Sequence, residues 1–391
     1  MFSSRIPVDL ARNRLSEALR DRRAEQRAVI DLTVSNPTQA GFDYTVDLLA
    51  PLADARGLRY DPTPLGAMDA RRAVAADFAR QGIAVPPERI VVTASTSDAY
   101  AALFKLLADA GDDVLIPRPG YPLLDHLTRL DLVTARPYDL EYHGSWSIDF
   151  PSLERACTSR TRAVLVVSPN NPTGSFISRD ELDRLAVFCA ARGIAIIADE
   201  VFADYELEPG SVARAGRAAA RDDVLSFALG GLSKSIGLPQ VKLGWFAVAG
   251  PQRHVASALE RIELVCDSYL SVSTPVQLAA AELLARGAAV RAQIGARVAA
   301  NYRHVQTAAA PSCRVLRSDG GWYAVIQVPS FESEEDLVLR LLTTEGVLAH
   351  PGYFFDFPNE SYLVVSLLAA PADFVEGVGR IFQDFAREAE Q

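Results

Sequence analysis

From about residue 89 the chain alternates between two hydrophobic rhythms. Short, nearly unbroken runs rich in β-branched residues recur as "RIVVTAS", "DDVLIPRP", "RAVLVVSPN", "IAIIADE", "VLSFALG" and "LGWFAVAG". Between most of them lie longer segments whose apolar residues return every three or four positions, such as 97–108 and 178–192. A run without polar alternation suits a strand buried on both faces, and its alternation with helices predicts a mostly parallel sheet covered on both sides. "LGWFAVAG" follows its predecessor after a short connection, so one antiparallel strand is expected. From Pro251 to about Ala309 the pattern is helical. Then "GGWYAVIQVP", a helix near 334–343, "GVLAHPGYFF", "SYLVVSLL" and a final helix predict a smaller α+β unit. The expected fold is a three-layer α/β/α domain over residues 46–290, with a small domain built from both termini, 1–45 and 291–391.

Composition narrows the function. The 391 residues are 49% hydrophobic and 23% charged, which suits a soluble globular chain with a large core. The formal net charge is −10, and no basic run is suited to a phosphate backbone, which argues against nucleic acid. The arginines of the N-terminal arm (Arg5, Arg12, Arg14, Arg20, Arg22, Arg23) are interrupted by acids and read as one solvated helix face. Cys157, Cys189, Cys266 and Cys313 lie far apart with no CxxC pair, so free thiols are expected rather than disulfides or a metal site. "MFSSRIPVDLARNRL" lacks the apolar centre of a signal peptide, and no apolar stretch is long enough to span a membrane; the cytoplasm is the expected compartment.

Open parallel sheets bind ligands beyond the carboxyl ends of their strands, so the residues that follow each run are the candidates. Ser95-Thr96-Ser97 opens a helix, whose free N–H groups suit a phosphate; taken alone it reads better as a plain N-cap. Tyr121 can stack on a flat ligand or fill a core. Asn170 and Asn171, in "SPNNPTG", can offer amide donors, as many plain loops do. Asp199 and Glu200 end a buried run, where a carboxylate is costly unless it is paired. Lys234 follows "VLSFALGG" among small residues. Together these groups match one cofactor, pyridoxal 5′-phosphate. It needs phosphate donors, an aromatic face, a carboxylate on its ring nitrogen, a donor to its phenolic oxygen, and a lysine desolvated enough to attack its aldehyde.

The motifs "SPNNPTG", "ADEVF" and "GLSKSIGLPQVKLGW", in this order and spacing, resemble fold-type I pyridoxal-phosphate enzymes of the aspartate aminotransferase superfamily (class I/II aminotransferases). The similarity runs from "IDLTVSNPT" to the final helix. It implies that Lys234 carries the cofactor as a Schiff base and moves the substrate proton. Asp199 would hold the ring nitrogen, Asn171 the phenolic oxygen and Tyr121 the ring face. Ser95, Thr96 and Ser233 would hold the phosphate. Tyr60, in "RYDPTPLG", would reach the neighbouring subunit's phosphate, which implies a homodimer with shared active sites. Ser35, Asn36 and His350 would lie near substrate. The implied reaction moves an amino group from an amino acid to a 2-oxo acid.

Three departures from the family pattern stand out. Phe202 replaces the usual tyrosine three residues after the aspartate. Lys242 replaces the phosphate-binding arginine and lacks its planar fork. In "SYLVVSLLAA", Val364 falls where the family places the arginine that grips the substrate carboxylate. Arg5, Lys105 and Arg118 are candidate substitutes, and the loss leaves a decarboxylase, β-lyase or oxidase as an alternative reaction. A binding-only relative is disfavoured because the lysine, aspartate and asparagine are all present. No Gly-rich dinucleotide fingerprint or GxxxxGK[ST] loop is found. Because Phe202 removes a hydroxyl donor to the phenolic oxygen, the Lys234 imine should have a higher pKa than in relatives with the tyrosine. Phe202→Tyr is expected to move the pH midpoint of the cofactor's absorbance change downward; an unmoved or raised midpoint would count against the assignment.

Overall fold

The computed structural model describes residues 2–7, 13–270, 272–359 and 361–389; Arg12 lies outside them. Among the described residues, fourteen strands form three sheets. A two-residue strand β1 (Ile30–Asp31) opens the series. The large sheet contains β2 (Ile90–Thr93), β3 (Asp113–Arg118), β4 (Thr134–Tyr142), β5 (Trp146–Ile148), β6 (Thr161–Val167), β7 (Ala195–Asp199), β8 (Ser226–Gly231) and β9 (Gly244–Ala249). The small sheet contains β10 (Arg314–Val315), β11 (Tyr323–Gln327), β13 (His350–Pro351) and β14 (Tyr362–Ser366), while β12 (Val347–Leu348) pairs with β1.

In the large sheet the spatial order is β2-β9-β8-β7-β6-β3-β4-β5. β3 is parallel to β4 and to β6, and the pairs β6–β7 and β7–β8 are parallel as well. β9 runs antiparallel to both its neighbours, as its short connection to β8 requires. The six predicted runs all form strands. The central ones are buried almost throughout, which explains their lack of polar alternation. β4 and β5 were not expected: "TARPYDLEY" is largely exposed, carries Pro137, and lies at the sheet's margin. Helices cover both faces and divide the core into two main apolar layers.

The small sheet is antiparallel, in the order β10-β11-β14-β13. The N-terminal segment joins it through β1–β12, through Ser366 N–H donating to the Leu32 carbonyl at 2.7 Å, and through Arg14 bridging to Glu335 and Asp336. Its first residues behave differently, since Arg5 donates to the carbonyl of Leu130 on a helix of the large sheet. The helix Arg14–Ala24 buries no residue, in keeping with a solvated face. The four cysteines are free. Among the described residues no helix is long and apolar enough to cross a membrane.

The helix Ala288–Ala308 ties the two sheets together. Arg291 Nε donates to the Ser235 carbonyl at 2.8 Å, beside Lys234. Further along, Arg297 stacks on Phe42 at 4.1 Å, and Asn301 donates to the carbonyls of Leu367 and Ala369 just after β14. A second fixed point is Glu334, which is 2% exposed. Its carboxylate accepts the N–H groups of Tyr353, Ser361 and Tyr362 at 2.6, 2.9 and 2.8 Å. Glu334→Ala leaves these donors without that acceptor. It is expected to cost about 3 kcal/mol of stability, read as a lower denaturant midpoint, because buried donors that lose a charged acceptor bear the full desolvation penalty.

Candidate active site

Because β2, β3, β6, β7 and β8 all point the same way, the segments that follow them meet along one edge, where antiparallel β9 begins. The strand order sets their sequence in space: Ser95 and Thr96, then Lys242, then Ser233 and Lys234, then Asp199 and Phe202, then Asn171, then Tyr121. Gly244 locks one junction. It pairs with Thr93, and a Cβ there would lie 2.8 Å from the Ser95 carbonyl carbon. The loop bearing Lys242 is therefore pressed onto the start of the helix Thr96–Leu107. Lys242 itself is exposed and takes a left-handed backbone, φ +62°. Ser95 is the N-cap of that helix, accepting the Asp98 N–H at 3.1 Å. The N-cap reading of Ser95 thus holds, and the opening N–H groups beside it remain a cradle for an anion.

Asp199 and Glu200 are neighbours with opposite fates. Glu200 is neutralised by Arg217, 2.8 Å away, and accepts the Ala218 N–H. Asp199 has only a hydroxyl and an amide: Tyr100 Oη donates to it at 2.9 Å and the Val201 N–H at 3.1 Å. Burial pushes its pKa up to about 6 against those two hydrogen bonds. Lys234 is shifted the opposite way. Burial lowers its pKa to about 8, with Asp199 opposing the fall. Its ammonium lies 4.8 Å from the Trp322 ring centre and 5.5 Å from that of Phe202. Its backbone is held from below, where Tyr205 Oη donates to the Lys234 carbonyl at 2.5 Å and Tyr44 Oη to the Gly237 carbonyl at 2.8 Å.

Asn171 is 8% exposed, and its Oδ1 is buried without a partner. Tyr121 is 42% exposed and its ring lies 6.5 Å from Phe355. Phe355 also touches His350, and His350 stacks flat on Phe354 at 5.0 Å. Val364 is buried in β14 and is the register partner of His350. Burial drives the His350 imidazole down to about 4, so it is neutral near pH 7 and carries no charge to replace the absent arginine.

The proposed substitutes are already engaged elsewhere. Arg118 forks onto Asp139, Lys105 pairs with Asp131, and Arg5 is held by Ser3 and the Leu130 carbonyl. The Asn36 side chain caps the short helix Pro37–Gln39 by accepting from Thr38. Ser35 and Tyr60 are exposed, Tyr60 at 65%. Sequence reasoning missed Tyr100, Trp322 and Tyr205. Tyr100 sits about one turn inside the helix opened by Thr96, on its buried face, and this spacing was the available signal.

The Asn171 carboxamide, whose amino group can donate, an acid with no permanent cation, a desolvated lysine and a helix start near one another fit the groups pyridoxal phosphate needs. The fold and the site thus define an enzyme built for that cofactor. The aminotransferase class I and II model matches residues 27–373, and the chain belongs to this family of pyridoxal-phosphate-dependent amino-group transferases. It is 27% identical to the alanine aminotransferase of Mycobacterium tuberculosis, over 92% of this chain and 86% of that one. It is 26% identical to the glutamate-pyruvate aminotransferase AlaA of Escherichia coli, over 94% and 91%. In fold it matches an alanine aminotransferase from Pyrococcus furiosus with a TM-score of 0.87 at 23% identity, covering 99% of this chain and 100% of the other. Membership of this family favours amino transfer over the decarboxylase, lyase and oxidase alternatives.

The electrostatics give a prediction in the cofactor-free protein. A carboxyl whose folded pKa is raised favours folding while protonated, and that contribution is lost as pH rises through the folded value, about 6. Asp199→Asn stays neutral. Relative to the parent it is expected to gain on the order of 2 kcal/mol between about pH 4 and about pH 8. Denaturant midpoints at both ends measure it, and a pH-independent difference would contradict the raised pKa.

Proposed function

We propose that this protein moves an amino group from an amino acid with an uncharged side chain to a 2-oxo acid, acting as a cytoplasmic homodimer with Lys234 as the catalytic residue. The observation that carries this reading is the facing pair of Asp199, an acid without a permanent cation, and Lys234, an amine close to neutrality. When bound, pyridoxal phosphate supplies a carbonyl that condenses with amines and a ring that takes up the electron pair left at the substrate α-carbon. Ser95, Thr96, Ser233 and Lys242 would hold its phosphate, Tyr121 would cover one ring face, and the Asn171 amino group would donate to its phenolic oxygen. Asp199 stays ionised against the protonated ring nitrogen, and Tyr100 and the Val201 N–H fix its carboxylate. Lys234 Nζ would hold the cofactor's carbonyl carbon and, once freed by the incoming amine, would take the α-proton and return it one carbon away. A base near pKa 8 is well matched to that shuttle.

The substrate side is apolar. Val364, neutral His350, Phe354 and Phe355 form an apolar wall that offers no charge to a substrate carboxylate. This supports small or apolar donors, in line with the names of the alanine aminotransferases it resembles. The homodimer reading is supported by exposed apolar residues near Tyr60: Leu58 at 92%, Leu264 at 72% and Tyr269 at 64%. Gly57 packs on Pro275, and Tyr60 lines one small cavity with Leu270, which joins these segments into one face.

The test is spectral. Alanine added to the cofactor-loaded protein is expected to convert the cofactor's absorbance to that of the aminated form, and a 2-oxo acid alone should restore it. Lys234→Ala should abolish turnover and leave no cofactor attached after borohydride reduction, read by mass spectrometry. Conversion by simple amines but by no amino acid, or failure of every 2-oxo acid to restore the band, would overturn the proposal.

A further inference from the structure

The opposite end of the large sheet carries a second concave site. A groove of about 490 Å³ opens between the starts of β7 and β8, the end of the helix Thr96–Leu107 and the start of the helix Gln252–Tyr269. Leu225, on its wall, is separated from the Lys234 turn by the six residues of β8, roughly 20 Å at the usual strand rise. Its floor is apolar, with Leu107, Ile194 and Leu225. Its rim carries Arg253, His254 and Arg261.

The charges at this groove are not balanced from within the chain. Arg162 is spent on Asp112, and Asp223, the only acid in the lining, is spent on Arg221. Among the described residues, the side chains of Arg253 and His254 make no ion pair or hydrogen bond, and that of Arg261 bonds only to Ser257 on its own helix. Two permanent positive charges therefore face an apolar hollow on a chain of net charge −10. A second groove, of about 430 Å³, gives the contrast. Its Arg179, Arg217 and Arg221 are committed to the Ala213 carbonyl, Glu200, and Asp183 with Asp223. The arginines of the second groove are thus all satisfied, whereas Arg253 and Arg261 at the first groove meet no acid among the described residues.

We propose that the first groove binds a small organic anion. Arg253 and Arg261 take its carboxylate, sulfonate or phosphate head, and its apolar body lies on Leu107, Ile194 and Leu225. The volume is that of a pocket for a small-molecule ligand, and pairing the head with guanidinium groups is the strongest contact available there. This site is independent of the amino-transfer chemistry at Lys234.

The test uses 2-naphthoate on the cofactor-loaded protein, followed by calorimetry, with 2-naphthalenemethanol and inorganic phosphate as separate arms. The naphthoate is expected to bind without altering the cofactor absorbance. The alcohol and phosphate should each bind about tenfold more weakly, since one lacks the head and the other the body. The double variant Arg253→Ala/Arg261→Ala, at two exposed positions away from the core, should lose about tenfold in naphthoate affinity with amino transfer unchanged. Equal affinity in the double variant, a shifted cofactor band, or phosphate binding as tightly as naphthoate would overturn the proposal.

Discussion

The constraint on which this structure turns is a carboxylate, Asp199, placed at the end of the central strand of a buried sheet without a permanent counter-cation. The chain can neutralise an acid in this position, because it does so one residue later, where Arg217 meets Glu200. At Asp199 it supplies only Tyr100 and a backbone N–H, enough to hold the side chain in one orientation and too little to offset its desolvation. The cost is tolerable if a cationic ring nitrogen arrives from outside the chain. In that case the same burial that destabilises the empty site strengthens the contact with the cofactor. Lys234 answers to the same environment with the opposite sign, since desolvation raises an acid and lowers an amine. One apolar surrounding, with Phe202 and Trp322 as its nearest walls, therefore sets both groups.

Holding a lysine at such a point requires a rigid seat, and the seat is polar. Tyr205 binds the carbonyl of Lys234 itself, Arg291 binds that of Ser235, and Tyr44 that of Gly237. Arg291 is itself fixed between Asp204 and Asp77, which also share Arg80. Three carbonyls of the turn are thus tied to different parts of the chain. The Arg291 helix continues to the exit of β14, so the small sheet and the lysine turn are fastened to one rod. Trp322 closes the connection from the other side. It packs against Phe202 and Tyr205, and its carbonyl accepts the Leu367 N–H at 2.8 Å.

What could be read beforehand follows from burial. Strands covered on both faces must be apolar throughout, so β2, β3, β6, β7, β8 and β9 announced themselves, and the residues after them became candidates. β4 was hidden because a marginal strand has no such obligation. Lys234 and Asp199 were visible as candidates because each follows an apolar run, whereas Asn171, in a Pro/Gly loop, was singled out through the resemblance of "SPNNPTG" to the family motif. Tyr100 and Tyr205 were not, since a tyrosine inside a helix or after a strand looks the same whether its hydroxyl fills a core or holds a functional group. The fates of Arg5, Lys105 and Arg118 were equally hidden. Their acidic or carbonyl partners lie 21 to 125 residues away in sequence, and only the tertiary fold shows that they are occupied.

Val364 sits in a wall that is packed as a unit. An arginine in β14 facing His350 would need acceptors and water around it. Valine has no such need, and its neighbours complete an apolar wall: His350 sits stacked on Phe354 and edge-on to Phe355, Phe355 meets Tyr121, and the imidazole is buried far enough to lose its proton. Restoring an arginine at this position would therefore not restore the family's carboxylate grip. The guanidinium would enter a wall already packed for apolar contact, against a histidine that becomes harder still to protonate beside a second cation. The polarity of this wall is thus set by its residues together and not by residue 364 alone.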